Sequence, residues 1–511
     1  MFTWPDIDYS KLTGLFEYNA KEPLLFNTGY FVWMFAAFML VYGIVYRNTF
    51  TRTFYLTLFS LFFYYKSSGT IVFMLMGSTV LDFLIGNMIE AAPTKGKKKL
   101  WLIASLLVNL GALIYFKYAG FILKNAGVDT ETISNILNNG LEAIDITGWV
   151  GYFNIDNMIL PVGISFFTFQ KLSYTIDIYR GQLKPTKSFL DFSFFVTFFP
   201  HLVAGPIVRA ADFLPQIRIK TTITKEQFGR AVFLIATGLF KKAVISDYIS
   251  TNFVDRVFDD PTLYTGFENL AAVYAYALQI YCDFSGYSDM AIGIAQLVGY
   301  TLKPNFNSPY KSADVTEFWR RWHMSLSFWL RDYVYISLGG NRKGKVMQYV
   351  NQMITMLIGG LWHGAAWQFI LWGALHGLAL GFDKAIRTVF DVRKNAFTKL
   401  VGIFFTFHFV CFCWIYFRAP SIDIAHQVMG RIVTAFHPEI FMGFIKGYPN
   451  VIVLVVLGYL MHFTPTRFKI SIRNVVTNTP LIGKAALILV IAYIVIQVKS
   501  AEIQPFIYFQ F

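Results

Sequence analysis

The sequence predicts an all-α polytopic membrane protein, on the evidence of its composition and of its recurring apolar segments. Of its 511 residues, 55% are hydrophobic, 18% are aromatic and only 14% are charged, whereas soluble proteins contain about 25% charged residues. Apolar segments of about 20 residues, the length that crosses a bilayer as a helix, recur along the chain without a long polar insertion. We therefore predict one membrane domain and no soluble domain.

Three regions are predicted along the chain: an N-terminal extracytoplasmic segment (1–25), a transmembrane domain (26–498) and an extracytoplasmic C-terminal tail (499–511). The first region has no basic stretch leading into a short apolar core, so it does not resemble a cleavable signal peptide. The lysines of "KGKKK" at 95–99 mark the cytoplasmic side, because basic loops stay inside. Both termini are accordingly predicted outside.

Several apolar segments have the wrong length for a simple crossing. Residues 189–207 have basic residues on both flanks, which favours a segment that enters the membrane and returns. The run 346–382 contains no Asp, Glu, Lys or Arg and would be about 55 Å long as one helix. Gly359 and Gly360 predict a break there, with a new helix near Leu361. We expect re-entrant or broken helices around a tunnel, because broken helices often build membrane sites.

Some function classes are excluded early. The net charge of +14 could suggest nucleic acid, but the basic residues lie in short loops between apolar segments, so we expect no nucleic-acid partner. The cysteines Cys282, Cys411 and Cys413 form no CxxC pair, and neither a disulfide framework nor a metal site is indicated. "GGNRKGK" at 339–345 fits GxxxxGK, but Val346 replaces the Ser or Thr that a P-loop needs.

The uncharged run 346–382 contains two histidines, His363 and His376, and an imidazole in an apolar segment is a candidate functional group. A neutral imidazole can accept a proton as a general base, which accelerates a reaction by about 10²- to 10⁴-fold. Placing His363 in the first turn of the new helix puts it at the predicted break. His376 would lie about 20 Å further along a continuous helix, either with a direct role or hydrogen-bonded between helices.

The other histidines carry weaker signals. His201, in "PHLVAGP", has the same two alternatives as His376. The remaining four histidines are predicted to be structural or interfacial: His408, His426, His437 and His462.

A basic stretch precedes the uncharged run, with a net charge of +5 between residues 300 and 345. Such a stretch could bind the phosphates of coenzyme A or an acidic carrier protein, or it could be an ordinary topology signal. The candidate donor-binding residues are Arg320, Arg321, Arg342, Lys343 and Lys345.

Asp283 and Asp289 lie in an otherwise uncharged run, where an ionised carboxylate needs a partner. They could line the tunnel or orient a histidine such as His323, in "RRWHMS" (320–325). Alternatively, they could pair with a basic residue such as Arg320 or Arg321 and so fix the fold.

Four motifs carry a resemblance to a known family: "PHLVAGPIVR" (200–209), "YCDFSGYSDMAIG" (281–293), "FWRRWHMSLSFWLRDYVYISLGG" (318–340) and "MLIGGLWHGAAWQFILWGALHG" (356–377). In this order they resemble the membrane-bound O-acyltransferase superfamily, and most closely its bacterial polysaccharide branch. That branch contains alginate O-acetyltransferase, with peptidoglycan O-acetyltransferase and the teichoic-acid D-alanyl transfer protein as relatives. The resemblance covers about residues 30–511.

The resemblance implies a ring of helices around a central tunnel, through which an acyl group passes from a cytoplasmic thioester to a hydroxyl outside. It implies that His363 is the catalytic histidine and that His323, in "RRWHMS", is its companion on the cytoplasmic side. The residues expected to line or support the tunnel are Asp283, Asp289, Trp362 and His376.

The leading functional hypothesis is a polysaccharide O-acetyltransferase of the bacterial cytoplasmic (inner) membrane. It would use acetyl-CoA as donor, with no permanently bound cofactor and no metal. Its expected partners are membrane lipids, a polysaccharide acceptor and extracytoplasmic acyltransferase- or esterase-like proteins. One alternative is a D-alanyl transfer protein that uses a carrier-bound aminoacyl group. Another is a transporter or flippase, although the paired inverted repeats of that class are not evident.

The chain ends in "SAEIQPFIYFQF", in which Pro505 ends any helix. The apolar residues that follow are predicted to dock at the outer mouth of the tunnel, because they are too apolar to remain in water. The motif resembles the terminal FIY-x-x-F of a small membrane partner of D-alanyl transfer proteins. This likeness suggests that Tyr508 is an acyl-accepting relay. The alternative is a tail that only plugs or anchors.

Overall fold

The computed structural model describes residues 16–19, 23–135, 160–389, 395–498 and 506–507. Within these ranges the chain is helical and forms no strand, as the predicted class requires. The α-helices of seven or more residues are Gly29–Val45, Thr49–Ser68, Val72–Ala91, Lys95–Leu113, Ala119–Asn125, Ile164–Tyr179, Phe189–Thr197, Ala210–Ile217, Lys225–Leu239, Gly266–Leu297, Val315–Arg321, Lys345–His363, Trp367–Val389, Ala396–Arg418, Ile422–Thr434, Phe441–Gly447, Pro449–Phe463, Thr466–Asn478 and Leu481–Val498. Shorter α-helical, 3-10 and π-helical segments connect them.

Four helical segments of the described residues are long and apolar enough to cross a membrane, so the chain is a multi-pass membrane protein. Two further pairs of helices reach that length only together and are bent by 90° and 99° at a short break. These bent pairs agree with the predicted broken or re-entrant helices. The central tunnel and the sides on which the termini lie stay predictions.

The chain divides into two compact units. Unit 1 comprises Met1–Phe116, Ile159–Val203 and Arg209–Thr221, and unit 2 comprises Lys117–Met158, Ala204–Val208 and Thr222–Phe511. The candidate site residues of the sequence analysis belong to unit 2, except His201, which belongs to unit 1. The predicted boundaries at residues 25 and 499 adjoin segments outside the described residues, so the three-region division stays a prediction.

Unit 1 contains a polar cluster in its apolar interior. The carboxylate of Asp82 accepts hydrogen bonds from Ser105 (2.8 Å) and from Asn109 (2.8 and 2.9 Å), and the ammonium of Lys171 lies 3.5 Å away. Thr175 shares a hydrogen bond of 3.0 Å with Ser105. All five side chains are buried, and together they satisfy a charge that would otherwise be costly in a membrane domain.

The segment predicted to enter and return, 189–207, is interrupted. A helix covers Phe189–Thr197 and a second, of four residues, covers Phe199–Leu202. The carbonyl of Phe195 accepts from the Gln170 amide at 2.7 Å, and His201 Nε2 lies 3.0 Å from the same oxygen. The Gln170 and His201 side chains thus provide hydrogen bonds for a backbone carbonyl near the interruption of the helix. Backbone polar groups inside a membrane need such partners.

The run 346–382 forms two antiparallel helices, Lys345–His363 and Trp367–Val389, which we call the histidine hairpin. The predicted break at Gly359 and Gly360 is wrong: the helix continues through both glycines and ends at His363. The chain is extended at Gly364 (φ −161°, ψ 151°). His363 therefore lies at the end of the first helix and not in the first turn of the second.

Packing explains why these glycines do not break the helix. A Cβ on Gly360 would lie 2.2 Å from the carbonyl oxygen of Phe369 and 3.2 Å from the Cα of Gly373. Small residues allow membrane helices to approach this closely. At the true break, a Cβ on Gly364 would lie 2.1 Å from the ring of Phe369. Gly360 thus serves helix contact, and Gly364 serves the turn.

Candidate active site

His363 lies at the C-terminal end of the first helix of the histidine hairpin and is buried, with 2% of its surface exposed. Its imidazole contacts three aromatic rings nearly edge-on, those of Trp362 (5.0 Å between centroids), Trp372 (5.1 Å) and Phe417 (5.1 Å). Such an apolar enclosure keeps bulk water away from the imidazole.

Two residues that the sequence analysis overlooked hold the end of this helix. The Lys117 ammonium donates to the backbone carbonyls of Trp362 (2.9 Å) and His363 (2.8 Å). The hydroxyl of Tyr118 donates to the carbonyl of Leu361 (2.8 Å). The last four carbonyls of a helix have no partner within it, so these residues satisfy three of them. A lysine in the apolar segment "LIYFKYAG" was the signal that could have found this cap.

His323 is fully buried between two short helices, Val315–Arg321 and Met324–Trp329. Its backbone has φ +40°, a left-handed conformation that costs about 1–3 kcal/mol in a residue other than glycine and is often found at functional sites. Asn305 holds it there. The Asn305 backbone carbonyl accepts from the Met324 N–H (2.9 Å), and its Oδ1 accepts from His323 Nδ1 (3.3 Å).

The structure brings the two predicted catalytic histidines together. The indole of Trp362 contacts both imidazoles, with centroid distances of 5.9 Å to His323 and 5.0 Å to His363. The ring of Phe284 contacts the imidazole of His323 edge-on, with 4.5 Å between the ring centroids. The N–H of Ile207 donates to Ser325, whose hydroxyl donates in turn to Asn305, the residue bound to His323. All four quoted motifs therefore contribute to the surroundings of His323.

His376 lies much closer to His363 than a continuous helix would allow, because the hairpin folds back. Both imidazoles contact the Trp372 indole, at 5.1 Å for His363 and 4.7 Å for His376. The Nε1–H of Trp319 donates to His376 Nδ1 at 3.3 Å. The predicted separation of about 20 Å is therefore wrong. His376 has the interhelical hydrogen bond that one of its two predicted alternatives requires.

Asp283 and Asp289 each pair with a basic residue, as one of their two predicted alternatives requires, but the partners are lysines and not Arg320 or Arg321. Asp283 pairs with Lys242 (2.5 Å), and Asp289 pairs with Lys241 (2.7 Å). Asp283 Oδ1 accepts a hydrogen bond from the Lys242 ammonium rather than from His323. The lysines lie on the π-helical segment Phe240–Ser246, which packs against the long helix that carries both aspartates.

The buried pair of Asp283 extends to a third charge, since Lys242 also contacts Asp247 at 2.7 Å. The second oxygen of Asp283, Oδ2, accepts from the backbone N–H of Ile507 at 3.2 Å. The Asp283 carboxylate thus joins a helix of the core to the C-terminal tail.

The tail residues Phe506 and Ile507 are buried, as predicted for a tail that docks. The ring of Phe506 contacts Phe284 (5.3 Å) and Tyr287 (5.1 Å). Phe284 also contacts His323, so one phenyl ring separates the docked tail from that histidine. Tyr508, the proposed relay, lies outside the described residues.

The candidate donor-binding residues do not form one cluster. Arg321 pairs with Glu317 (2.7 Å) on the same helix, and Arg320 is exposed. The other three are exposed and belong to the turn that leads into the histidine hairpin: Arg342, Lys343 and Lys345.

This turn, residues 339–345, contains three glycines in left-handed conformations: Gly339, Gly340 and Gly344. The amide of Asn351 donates to the carbonyl of Gly340 at 3.0 Å and fixes the turn to the hairpin. Lys345 begins the helix that His363 ends, so the two lie about 27 Å apart along its axis. Within the described residues no group of three metal-ligating side chains occurs, and the three cysteines are buried thiols.

Comparisons with known proteins identify the family. The family model for the membrane-bound O-acyltransferase family matches residues 151–422. A probable alginate O-acetylase of Azotobacter vinelandii is 43% identical over 353 residues, which cover 68% of this chain and 66% of the relative. A peptidoglycan O-acetyltransferase of Helicobacter pylori is 36% identical over 442 residues, which cover 80% of each chain. A teichoic acid D-alanyltransferase of Bacillus subtilis is 30% identical over 287 residues, which cover 53% of this chain and 71% of the relative. The chain therefore belongs to the membrane-bound O-acyltransferase family, and it is an acyltransferase of the membrane.

Proposed function

We propose that this enzyme moves an acetyl group from a cytoplasmic thioester across the membrane for the O-acetylation of an extracytoplasmic polysaccharide. One observation carries the proposal: His363 and His323 are buried on the same indole, that of Trp362. The similarity to a probable alginate O-acetylase and to a peptidoglycan O-acetyltransferase supports acetyl as the group transferred.

His363 acts as the general base of this reaction. Its imidazole takes the proton of the acceptor hydroxyl while the hydroxyl oxygen adds to the thioester carbonyl carbon. The carbonyl π electrons move to oxygen and form an oxyanion. The oxyanion then collapses, the C–S bond breaks, and the departing thiolate receives the proton from the imidazolium. His323, held by Asn305, positions the donor or the acceptor next to this base.

Acetyl-CoA is the proposed donor, and the enzyme needs no permanently bound cofactor for this chemistry. The exposed cations Arg342, Lys343 and Lys345 bind the donor's phosphates, with Arg320 and Arg321 nearby in the sequence as weaker contributors. The acyl end of the donor must then reach His363 at the other end of the same helix.

Tyr508 is the proposed first acceptor. His363 deprotonates its phenol, the acetyl group forms a tyrosyl ester, and an extracytoplasmic acyltransferase- or esterase-like partner transfers it to the polysaccharide. The docked residues Phe506 and Ile507 support this proposal, because they place the preceding part of the tail one ring away from His323. In the proposed topology the enzyme lies in the bacterial cytoplasmic membrane with both termini outside.

The test of the base is His363→Ala, assayed for transfer from labelled acetyl-CoA by the purified protein. We expect transfer to be abolished while the protein stays folded. His462→Ala is the matched control: His462 is also buried, but it accepts a hydrogen bond from the Tyr310 N–H (3.2 Å) and its ring contacts Tyr281 and Tyr310. Wild-type transfer by His363→Ala would refute the assignment.

The test of the relay is Tyr508→Phe, which keeps the ring and removes only the hydroxyl. We expect loss of polysaccharide acetylation, and an acetylated Tyr508 detectable by mass spectrometry in the wild-type enzyme. Full polysaccharide acetylation by Tyr508→Phe would show that the tail only plugs or anchors.

D-alanyl transfer is the second candidate function, and the similarity to a teichoic acid D-alanyltransferase favours it. An acidic carrier protein would bind the same basic turn. Supplying the purified enzyme with acetyl-CoA and, separately, with a D-alanyl carrier protein distinguishes the two donors. Membership of an acyltransferase family argues against the transporter alternative.

A further inference from the structure

The end of the helix that carries His363 is closed by a cation. The Lys117 ammonium donates to the backbone carbonyls of Trp362 (2.9 Å) and of His363 itself (2.8 Å). These carbonyls form the negative end of the helix dipole, which favours a positive charge. Lys117 precedes the segment that the family model matches, 151–422.

The surroundings of Lys117, which is partly buried, differ from those of Lys241 and Lys242 in the same unit. Lys242 contacts two carboxylates, and Lys241 contacts one. Within the described residues, Lys117 has no carboxylate within ion-pairing distance. Its ammonium donates hydrogen bonds there to the two helix carbonyls. An ammonium has three N–H donors. One N–H donor of the ammonium therefore stays available beside His363.

We propose that Lys117 stabilises the oxyanion that forms on the thioester carbonyl when the acceptor adds to it, while its two carbonyl bonds hold His363 in place. This inference rests on the proposed function of His363. A charge kept without a counter-ion in a water-poor site is costly in the resting enzyme. It becomes favourable when negative charge develops in the transition state, which is how such groups accelerate a reaction.

The assignment keeps the chemistry balanced. The acceptor proton goes to His363, and the carbonyl electron pair goes to the oxygen that Lys117 faces with its third N–H. When the oxyanion collapses, the pair returns to the carbonyl, the C–S bond breaks, and the proton passes from His363 to the thiolate. Lys117 keeps its proton throughout and acts through charge and hydrogen bonding alone.

Three variants separate charge from capping in the full-length purified enzyme. Lys117→Arg keeps the charge and the donors, Lys117→Gln keeps N–H donors without charge, and Lys117→Met keeps neither. We expect kcat to fall by about 10²- to 10³-fold in the Gln and Met variants, the usual loss when an oxyanion donor is removed. Lys117→Arg should stay within about tenfold of the wild type, because the cation is retained. The donor KM should change little, since the charge acts in the transition state.

The control is Asn125→Ala. Asn125 accepts from the Trp367 Nε1–H at 3.0 Å, so this variant removes a contact of the histidine hairpin without touching the charge or the helix carbonyls. Thermal unfolding of each variant reports folding. If Lys117→Met does not yield folded protein, the comparison of Lys117→Arg with Lys117→Gln decides, because both retain donors for the carbonyls.

Two results separate the failure of this inference from the failure of the proposed function. Full transfer by His363→Ala refutes the proposed function. This inference alone is refuted if His363→Ala is inactive but the kcat of Lys117→Gln lies within about threefold of the wild type. The Lys117 charge would then not contribute to catalysis. The expected result is a large kcat loss in both Lys117→Gln and His363→Ala.

Discussion

Two lysines of this protein, the buried Lys171 in unit 1 and the partly buried Lys117 in unit 2, have opposite surroundings. Lys171 lies 3.5 Å from the Asp82 carboxylate, which also accepts hydrogen bonds from Ser105 and Asn109. Lys117 contacts only carbonyl oxygens in the described part of the chain. A charged side chain with a complete set of partners stabilises the fold. An ammonium with an unused N–H donor is suited instead to stabilising a negative charge that forms only during a reaction.

Asp283 is an intermediate case. One of its oxygens is used by Lys242, in a pair as buried as that of Lys171. The other accepts from Ile507, a residue of the tail. The Ile507 N–H belongs to the tail, whereas Lys242 belongs to a segment packed against the long helix that carries Asp283. The comparison therefore predicts three kinds of mutational effect, on stability, on catalysis and on occupancy of the tail site.

The largest expected effect is on stability, in the closed cluster of unit 1. Asp82→Ala leaves the Lys171 charge buried without its carboxylate, which should lower the free energy of unfolding by about 3–5 kcal/mol. The measurement is thermal or denaturant unfolding of the purified protein. The double variant Asp82→Leu with Lys171→Leu should recover most of that loss, since it leaves no isolated charge. A stable Asp82→Ala protein without acyl transfer would instead assign the cluster to catalysis.

The second effect is catalytic and concerns the residue that holds His323. Asn305→Ala removes the Oδ1 acceptor of His323 Nδ1, and a misplacement of about 1 Å at a reacting group can reduce the rate about 10²-fold. Asn305→Asp keeps an acceptor oxygen and should restore part of kcat. Ser288→Ala is the control, because its hydroxyl accepts from the Asn305 Nδ2 (3.4 Å) and does not touch His323. Equal kcat in Asn305→Ala and the wild type would contradict the positioning role.

The third effect concerns the partner of Asp283 in the tail. Ile507→Pro removes the backbone N–H that donates a hydrogen bond to Asp283, because proline has no N–H. The pair of Asp283 with Lys242 stays intact. Hydrogen bonds to charged groups contribute about 1.5–3 kcal/mol, so the equilibrium constant for docking of the tail should fall by about tenfold or more. Transfer to the polysaccharide should fall in parallel.

Ile507→Val is the matched control for the tail, since it keeps the N–H and most of the side chain. Resistance of the C-terminal residues to carboxypeptidase measures docking independently of activity. Faster digestion in Ile507→Pro with unchanged acetylation would show that the tail docks without taking part in transfer.

Part of this molecule could be predicted from its sequence. The all-α membrane class follows from composition, and His363 stands out because an imidazole is rare in an uncharged run. The position of the helix break could not be predicted in the same way. Gly359 and Gly360 look like a break in the sequence, yet glycine also permits close helix contact, and only the facing atoms of Phe369 and Gly373 decide between the two uses.

Partners of buried charges were harder still. The sequence allowed Asp283 and Asp289 either to line the tunnel or to pair with a basic residue such as Arg320 or Arg321. The partners are Lys241 and Lys242, which lie on the π-helical segment packed against the helix of the two aspartates. Which helices pack together is a tertiary property that one sequence does not reveal. Lys117 is a different case, because a lysine in an apolar segment can be noticed in the sequence. Its role, however, follows only from the two backbone carbonyls that it contacts in the structure.

The smallest expected effect is at the exposed basic turn, where the charges of Arg342, Lys343 and Lys345 are solvated. Exposed ion pairs contribute about 0–1 kcal/mol each, and salt screens them over about 8 Å at physiological ionic strength. Replacing all three by Gln should raise the donor KM several-fold at low salt, leave kcat unchanged, and have no effect at high salt. The matched control replaces three exposed lysines of unit 1, Lys95, Lys97 and Lys99, by Gln, which removes the same net charge elsewhere. An equal change of KM in both triple variants would mean that the turn acts only through net charge and does not bind the donor.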